Sequence, residues 1–293
     1  MELHNNIKDV ALIFEGGGMR ASYTSGFLNV LLENKLYFDY VAGVSAGASN
    51  SVNYLSRDIE RARFSFVDFV LDPNFGGWRS FLKGEGFFKS KYIYEETPYP
   101  GAALPYDFET FNKNPAKFRI GALERASGKM VYFSKEDIKE LGDLMKIVRA
   151  SSSMPILMPP TKINGKYYVD GGISGGIPLD IAKEDGYDKF FVILTRPKGY
   201  RKDPVKYQRF IKKYYKKYPK VYEAMLNRHI VYNHSLEELD QLEKQGKAYI
   251  VYPETMPVSN SERNHKRLVE SYNLGYSQGK RDFSKWKEFL NKE

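Results

Sequence analysis

The sequence predicts an α/β layered sandwich built on a mainly parallel central sheet. Three observations carry this: short apolar runs at Val10–Phe14, Tyr40–Val44 and Phe190–Leu194, helical patterns between them, and a small-residue turn directly after each of the first two. A strand that is apolar on both faces needs a layer on each side.

The 293 residues, 42% hydrophobic and 28% charged, are enough for one large domain with a substantial core. A single domain over residues 1–293 is expected, with a core at about 8–200 and a mostly helical extension at about 201–293. The chain has no cysteine, which excludes a disulfide framework, a thiolate zinc site and a Cys nucleophile. Residues 1–14 lack a basic n-region and a small-residue cleavage site, and no run of about 18 apolar residues occurs, so neither a signal peptide nor a spanning helix is expected and the location is read as cytoplasmic.

Taken in order, Val10–Phe14 is the first strand and residues 19–36 a helix packed closely on the sheet through Ala21, Ser22, Ser25 and Gly26. Tyr40–Val44 is the second strand and Ala46 opens the second helix. Residues 72–115, rich in glycine, proline and aromatics, form a loop-rich or lid-like excursion over the core. Strands at 117–122 and 129–133 and a helix at 135–148 follow. Asn164-Gly165 between two alternating runs predicts a hairpin with a type I′ turn, whose second strand, Lys166–Val169, delivers Asp170. Past the strand at 190–194, Pro204 starts a helix whose stripe of Tyr207, Phe210, Ile211, Tyr214, Tyr215 and Tyr218 faces the core until Pro219 interrupts it. Helices at 237–245 and 262–289 flank a strand at 248–252.

Gly43-Val44-Ser45-Ala46-Gly47 matches G-x-S-x-G at the second strand-to-helix turn. A nucleophilic serine must project its Oγ from a sharp bend, and glycines two before and two after leave room for neighbouring backbone. The helix that follows aims its N-terminal N–H groups toward developing negative charge. Gly16-Gly17-Gly18-Met19-Arg20 follows the first strand, and its exposed amides make an oxyanion hole or an anion cradle, with Arg20 adding positive charge or neutralising Glu15 or another local acid. The same stretch also reads as G-x-G-x-x-A, a dinucleotide fingerprint, through Gly16, Gly18 and Ala21. That reading needs an acid at the end of the second strand, but Asp39 stands at its start and Ser45 at its end, which favours a hydrolase.

A serine nucleophile needs a base. The chain order of an α/β hydrolase permits His229, His234 or His265, yet none lies in a loop resembling a catalytic turn. Asp170-Gly171-Gly172, at the end of a hairpin strand, can approach Ser45 without obstruction. A carboxylate with a pKa near ~3.9 accepts a serine proton usefully only where it is partly desolvated and held in place.

Together, G-G-G-M-R, G-V-S-A-G and D-G-G in this order resemble the patatin-like phospholipases of the bacterial intracellular type, over roughly residues 8–200. Ala150-Ser151-Ser152-Ser153-Met154-Pro155 is similar to a loop of that family before the Asp strand. The resemblance implies a three-layer α/β/α fold, Ser45 as nucleophile, Asp170 as its base without a catalytic histidine, oxyanion donors at Gly16, Gly17 and Gly18, no cofactor and no metal, and an acyl-lipid or phospholipid substrate. Arg20, Gly43, Ala46, Gly47, Gly171 and Gly172 are the supporting positions. The family's glycine motif has a further glycine after the basic residue, where this chain has Ala21.

The net charge of +9 is concentrated: residues 198–220 hold ten Lys/Arg against the single Asp203. Such a block is either a solvated helix face or a peripheral contact with anionic membrane. It motivates the alternative of a lipid- or membrane-surface binding protein with a vestigial hydrolase site. No nucleic-acid motif accompanies the charge, so a nucleic-acid partner is not expected.

Overall fold

In the computed structural model, residues 3–291 are described. The strands are β1 (Val10–Phe14), β2 (Tyr40–Val44), β3 (Lys117–Glu124), β4 (Met130–Phe133), β5 (Thr161–Ile163), β6 (Lys166–Asp170), β7 (Lys189–Ile193) and β8 (Ala248–Val251). The helices are α1 (Ala21–Glu33), α2 (Ala46–Leu55), α3 (Ile59–Phe66), α4 (Trp78–Leu82), α5 (Phe108–Lys113), α6 (Leu141–Ser152), α7 (Leu179–Glu184), α8 (Gln208–Tyr214), α9 (Pro219–Lys244) and α10 (His265–Leu290).

One sheet runs β5-β6-β3-β2-β1-β7-β8, with β4 added on β3. The pairs β3–β2, β2–β1, β1–β7 and β7–β8 are parallel, and β4, β5 and β6 pair antiparallel. Successive residues of each central strand point to opposite faces. Leu12, Phe14, Val41, Phe191 and Ile193 pack under α1, α2, α6 and α10, while Ala11, Ile13, Ala42, Phe190 and Val192 pack against α7 and α9. The result is the three-layer α/β/α arrangement expected from the sequence. No helix among the described residues is long and apolar enough to cross a membrane.

The registers set where the chemistry can sit. β2 engages β3 as far as Val44 opposite Gly121, and β6 engages the next residue of β3, with Asp170 opposite Ala122. Because β6 runs antiparallel to β3, the carboxyl ends of β2 and β6 meet there. The type I′ turn that sets the β5–β6 register is present, with φ of 48° at Asn164 and 81° at Gly165.

The C-terminal segment contributes to the core. β8 extends the parallel sheet beyond β7, and α10 crosses α1 through Ser22–Ser271 and Tyr23–Gln278 hydrogen bonds of 2.8 and 2.7 Å. Trp286 is fully buried, its ring centroid 6.1 Å from that of Phe27 and 5.5 Å from that of Phe191 on β7. Truncating a buried Trp leaves a large cavity, so Trp286→Ala should cost about 3–5 kcal/mol in denaturant unfolding. A loss below about 1 kcal/mol, the range of surface substitutions, would mean that α10 is peripheral to the fold.

Three expectations are corrected. The helix expected at 135–148 is a short 3-10 turn followed by α6, because Asp143 caps the chain at Glu140 and restarts it. Pro219 does not interrupt a helix: it is the first residue of α9, where its missing N–H costs nothing, and α9 runs through to Lys244 rather than starting near 237. The aromatic stripe is not core-facing throughout. Tyr207 adopts a left-handed conformation at the N-cap, so the helix expected from Pro204 starts only at Gln208 as α8; Ile211 and Tyr215 are buried while Tyr207 is 83%, Phe210 59% and Tyr214 55% exposed.

Candidate functional site

The site lies at the carboxyl end of the sheet, where the chain leaves β1 toward β2 on one side and meets β7 on the other, the crevice in which open α/β sheets bind ligands. Ser45 caps α2 with φ 58° and ψ −127°, a left-handed conformation that a non-glycine residue holds only when its surroundings impose it. Those surroundings are Gly43 and Gly47. A Cβ on Gly43 would overlap the Gly47 carbonyl oxygen and Ser51 Oγ, and one on Gly47 would overlap the Phe14 carbonyl oxygen. The elbow therefore presses directly against the end of β1.

Ser45 Oγ donates a 2.6 Å hydrogen bond to Asp170 Oδ2. Asp170 Oδ1 accepts from the Gly172 N–H at 2.6 Å, and the Asp170 N–H is held by the Ser153 carbonyl at 2.9 Å, so the carboxylate is fixed on both oxygens and at its backbone. Burial pushes the Asp170 carboxyl above the usual carboxylate range, against the opposing pull of the Ser45 hydroxyl, the Gly172 N–H and the Arg228 charge. The Ser45 backbone N–H donates to Ser151 Oγ at 2.8 Å, which in turn donates to the Gly121 carbonyl at 2.6 Å, tying the elbow to β3 through α6.

The glycine loop lines the same space, but its three amides are not equivalent. The Gly16 N–H donates to the Gly176 carbonyl at 3.1 Å, which corrects the expectation that Gly16 would donate to an oxyanion. The N–H groups of Gly17 and Gly18 have no partner among the described residues. Ala46 stands in the first turn of α2, and Gly171 is packed under the Gly121 carbonyl. Arg20 is not ion-paired with Glu15, whose two oxygens accept from the Tyr232 hydroxyl at 2.8 Å and the Thr195 N–H at 2.5 Å.

The histidines take other places. His265 Nε2 lies 2.9 Å from Asp68 Oδ1, and His229 turns Nδ1 to the Leu226 carbonyl at 2.9 Å on the rim of the cleft. The group bonded to Ser45 Oγ is Asp170.

Two unlike spaces open on Ser45. One is a small apolar pocket walled by Met19, Phe66, Phe75, Phe88, Ile93 and Met158. Phe75, Phe88 and Ile93 come from residues 72–115, so that excursion is packed as a wall of the site. The other is a cleft of about 400 Å³ lined by Gly16–Gly18, Arg20, Arg196, Lys202 and Arg228. Sequence reasoning missed Ser151, Arg196, Lys202 and Arg228; the similar loop at 150–155 and the basic block starting at 198 were the available signals for Ser151 and Lys202, and Arg196 and Arg228 had none.

A left-handed serine elbow between β2 and α2, bonded to a buried aspartate at the end of β6, defines a layered α/β protein of the serine-elbow type. The chain belongs to the patatin-like phospholipase family, whose model matches residues 12–183. A second model, a domain of unknown function (DUF6363), matches residues 218–291. The chain is 26% identical over 193 residues to YjjU of Escherichia coli (strain K12), covering 64% of this chain and 52% of YjjU. It is 23% identical over 299 residues to the lysophospholipase NTE1 of Cryptococcus neoformans, covering 96% of this chain and 17% of NTE1. The chain thus spans about half the length of YjjU and a sixth of NTE1. Among solved structures, VipD from Legionella pneumophila superposes with a TM-score of 0.51 at 14% identity, over 99% of this chain and 67% of VipD, a likeness of fold.

Proposed function

We propose that the chain is a serine acyl-ester hydrolase acting on lipids, in which Ser45 is the nucleophile and Asp170 the base. The observation that carries this is the 2.6 Å bond from Ser45 Oγ to a buried, backbone-fixed Asp170 inside a strained left-handed turn. Family membership supports the lipid class of substrate.

Ser45 Oγ attacks the ester carbonyl carbon as its proton passes to Asp170 Oδ2. The charge on the carbonyl oxygen is met by the Gly17 and Gly18 amides and by the N-terminus of α2. As the tetrahedral intermediate collapses, Asp170 returns the proton to the departing alcohol. Water then attacks the acyl-serine, Asp170 takes the water proton, and collapse releases the fatty acid while Ser45 Oγ recovers its proton. The apolar pocket walled by Phe66, Phe75 and Phe88 receives the acyl chain. Residues 201–291 belong to the same folded unit, since β8 and α10 complete its sheet and core.

The test is covalent capture. A fluorophosphonate should modify the protein once, on the peptide carrying Ser45, and not at all in Ser45→Ala; modification elsewhere, or none, would sink the reading. Gly18→Ala tests the oxyanion role. Gly18 has φ +56° and a Cβ there would overlap the Asn260 carbonyl, so the loop must shift; loss of one preorganised donor should lower kcat by about 10²- to 10³-fold, read by steady-state kinetics.

A specific observation favours surface contact as a second feature. Tyr207, Phe210 and Tyr214 project from a segment whose Lys206, Lys212 and Lys213 share their exposure, the combination that binds an anionic lipid surface. If that contact were the protein's whole role, the site would be vestigial. Sedimentation with phosphatidylglycerol vesicles that falls in Phe210→Asp, together with no fluorophosphonate capture, is the result that would favour a binding protein.

A further inference from the structure

Ser45 stands between an apolar pocket and a cationic cleft, so an acyl ester bound for attack directs its alcohol portion into the cleft once its chain fills the pocket. We propose that this cleft seats a phosphate group carried by the alcohol portion of the substrate, and that the preferred lipid has an anionic headgroup with no ammonium group. The proposal rests on the serine-hydrolase reading and names its substrate.

Four cations from three separate segments converge on the cleft: Arg20 after the glycine loop, Arg196 and Lys202 after β7, and Arg228 on α9. None of the four forms an ion pair among the described residues, and Nε of both Arg20 and Arg196 is buried without a hydrogen-bond partner. Orphaned buried guanidinium donors are costly to leave unmet, and a phosphate oxygen meets them with charge-assisted hydrogen bonds. The acids that face the cleft form no ion pair with them, although the Glu15 charge partly offsets the crowding at Arg20 and Lys202. Glu15 is held by Thr195 and Tyr232, Asp170 by Ser45 and Gly172, and Asp203 is exposed. His229 on the rim is turned to its own helix.

Burial first, and mutual repulsion second, make two of these cations more acidic than usual. Burial, then Arg228, pushes the Lys202 ammonium down to about 7, and burial, then Arg196, pushes the Arg20 guanidinium down to about 10. An anion placed between them relieves both. The same crowding disfavours choline. Lys202 Nζ sits 4.1 Å from the Tyr232 ring centroid and Arg196 Cζ 4.5 Å from that of Tyr200, so these rings already hold the protein's own cations and a quaternary ammonium would add a like charge.

The experiment compares a monoacylglycerol, its phosphate monoester and its phosphocholine diester, all with one acyl chain. The phosphate ester should show kcat/KM about 10- to 100-fold above the other two, the range expected of a charge-assisted contact. Lys202→Gln and Arg228→Gln should each lower that preference about 10-fold, through KM more than kcat, and the preference should shrink with added salt. Equal kcat/KM for the three esters, or a preference that survives both substitutions, would overturn the proposal. Binding to the Ser45→Ala protein gives a readout independent of hydrolysis: an alkyl-ether glycerol phosphate should bind about 10-fold or more tightly than its phosphocholine counterpart, and equal affinity overturns the proposal. Inorganic phosphate separates the two sources of this chemistry. Weak competition with the phosphate ester fits a headgroup site, whereas tight phosphate binding without any preference among the lipids assigns the cleft to a free phosphate and overturns it. Failure of the hydrolase reading has a different signature, since ether-phosphate binding would then persist with no fluorophosphonate capture at Ser45.

Discussion

Ser45→Ala should lower kcat toward any acyl ester by about 10⁴- to 10⁶-fold, and adding Asp170→Asn to it should cost almost nothing more. In the proposed mechanism the two side chains act as one unit. Among the described residues Ser45 Oγ has a single side-chain partner, Asp170 Oδ2, and Asp170 is poised by that bond for one proton. Without the hydroxyl there is no proton for the carboxylate to take, and without the carboxylate the hydroxyl is an unactivated alcohol. The fold should be indifferent to the change, because Ala occupies the φ 58° turn no worse than Ser and the elbow is held by the Ser45 backbone N–H to Ser151 and by Gly43 and Gly47. Steady-state rates with a short p-nitrophenyl ester, beside thermal unfolding of the same samples, provide the check. A Ser45→Ala protein that keeps its rate removes Ser45 from the mechanism, and one that fails to fold shows that the hydroxyl is structural.

What was legible in the sequence was local. Val10–Phe14 and Tyr40–Val44 announce themselves because a central parallel strand is buried on both faces, leaving uninterrupted apolar runs that stop at small residues. Asn164-Gly165 fixes its hairpin because both positions need positive φ, which those two residues tolerate best. The three motifs were readable because each sits at the carboxyl end of a strand, and the alternation of strands and helices brings such ends together. The rest depends on partners distant in the chain. Periodicity places Tyr207, Phe210 and Tyr214 on a helix but does not say whether anything covers that face, and in the structure nothing among the described residues does. Pro219 reads equally as a stop or as a first residue; the continuation to Lys244 is decided by α9 packing Tyr232, Leu236 and Leu239 on the sheet. Gly16 looks like Gly17 and Gly18 until the carbonyl of Gly176, 160 residues later, takes its N–H. Arg228 carries no motif, and its bearing on Asp170 exists only because α9 lies across the site.

Those distant placements surround the proposed base, Asp170, and they lead to the second large effect. Asp170→Asn should lower kcat by about 10³- to 10⁴-fold while making the protein more stable at neutral pH. The amide keeps the shape and can still accept from the Gly172 N–H, but it cannot take a proton from Ser45. Stability moves the other way because burial raises the Asp170 pKa in the folded protein above its unfolded value. Below the unfolded pKa the carboxyl is protonated in both states and carries no penalty; as pH rises through the folded pKa, folding must hold a buried charge that the unfolded chain leaves in water, and stability is lost. Removing the ionisable group removes that loss, a gain of about 0.5–2 kcal/mol, or on the order of 1–8 °C in Tm at pH 7, that vanishes in acid. The same shift sets the acid limb of the wild-type rate, which should fall as pH drops through a pKa above that of a free aspartate. A Tm for Asp170→Asn below wild type at pH 7 would show that the Arg228 charge and the Ser45 bond outweigh burial, and the rate profile of the wild type would then break at or below the ordinary carboxylate pKa.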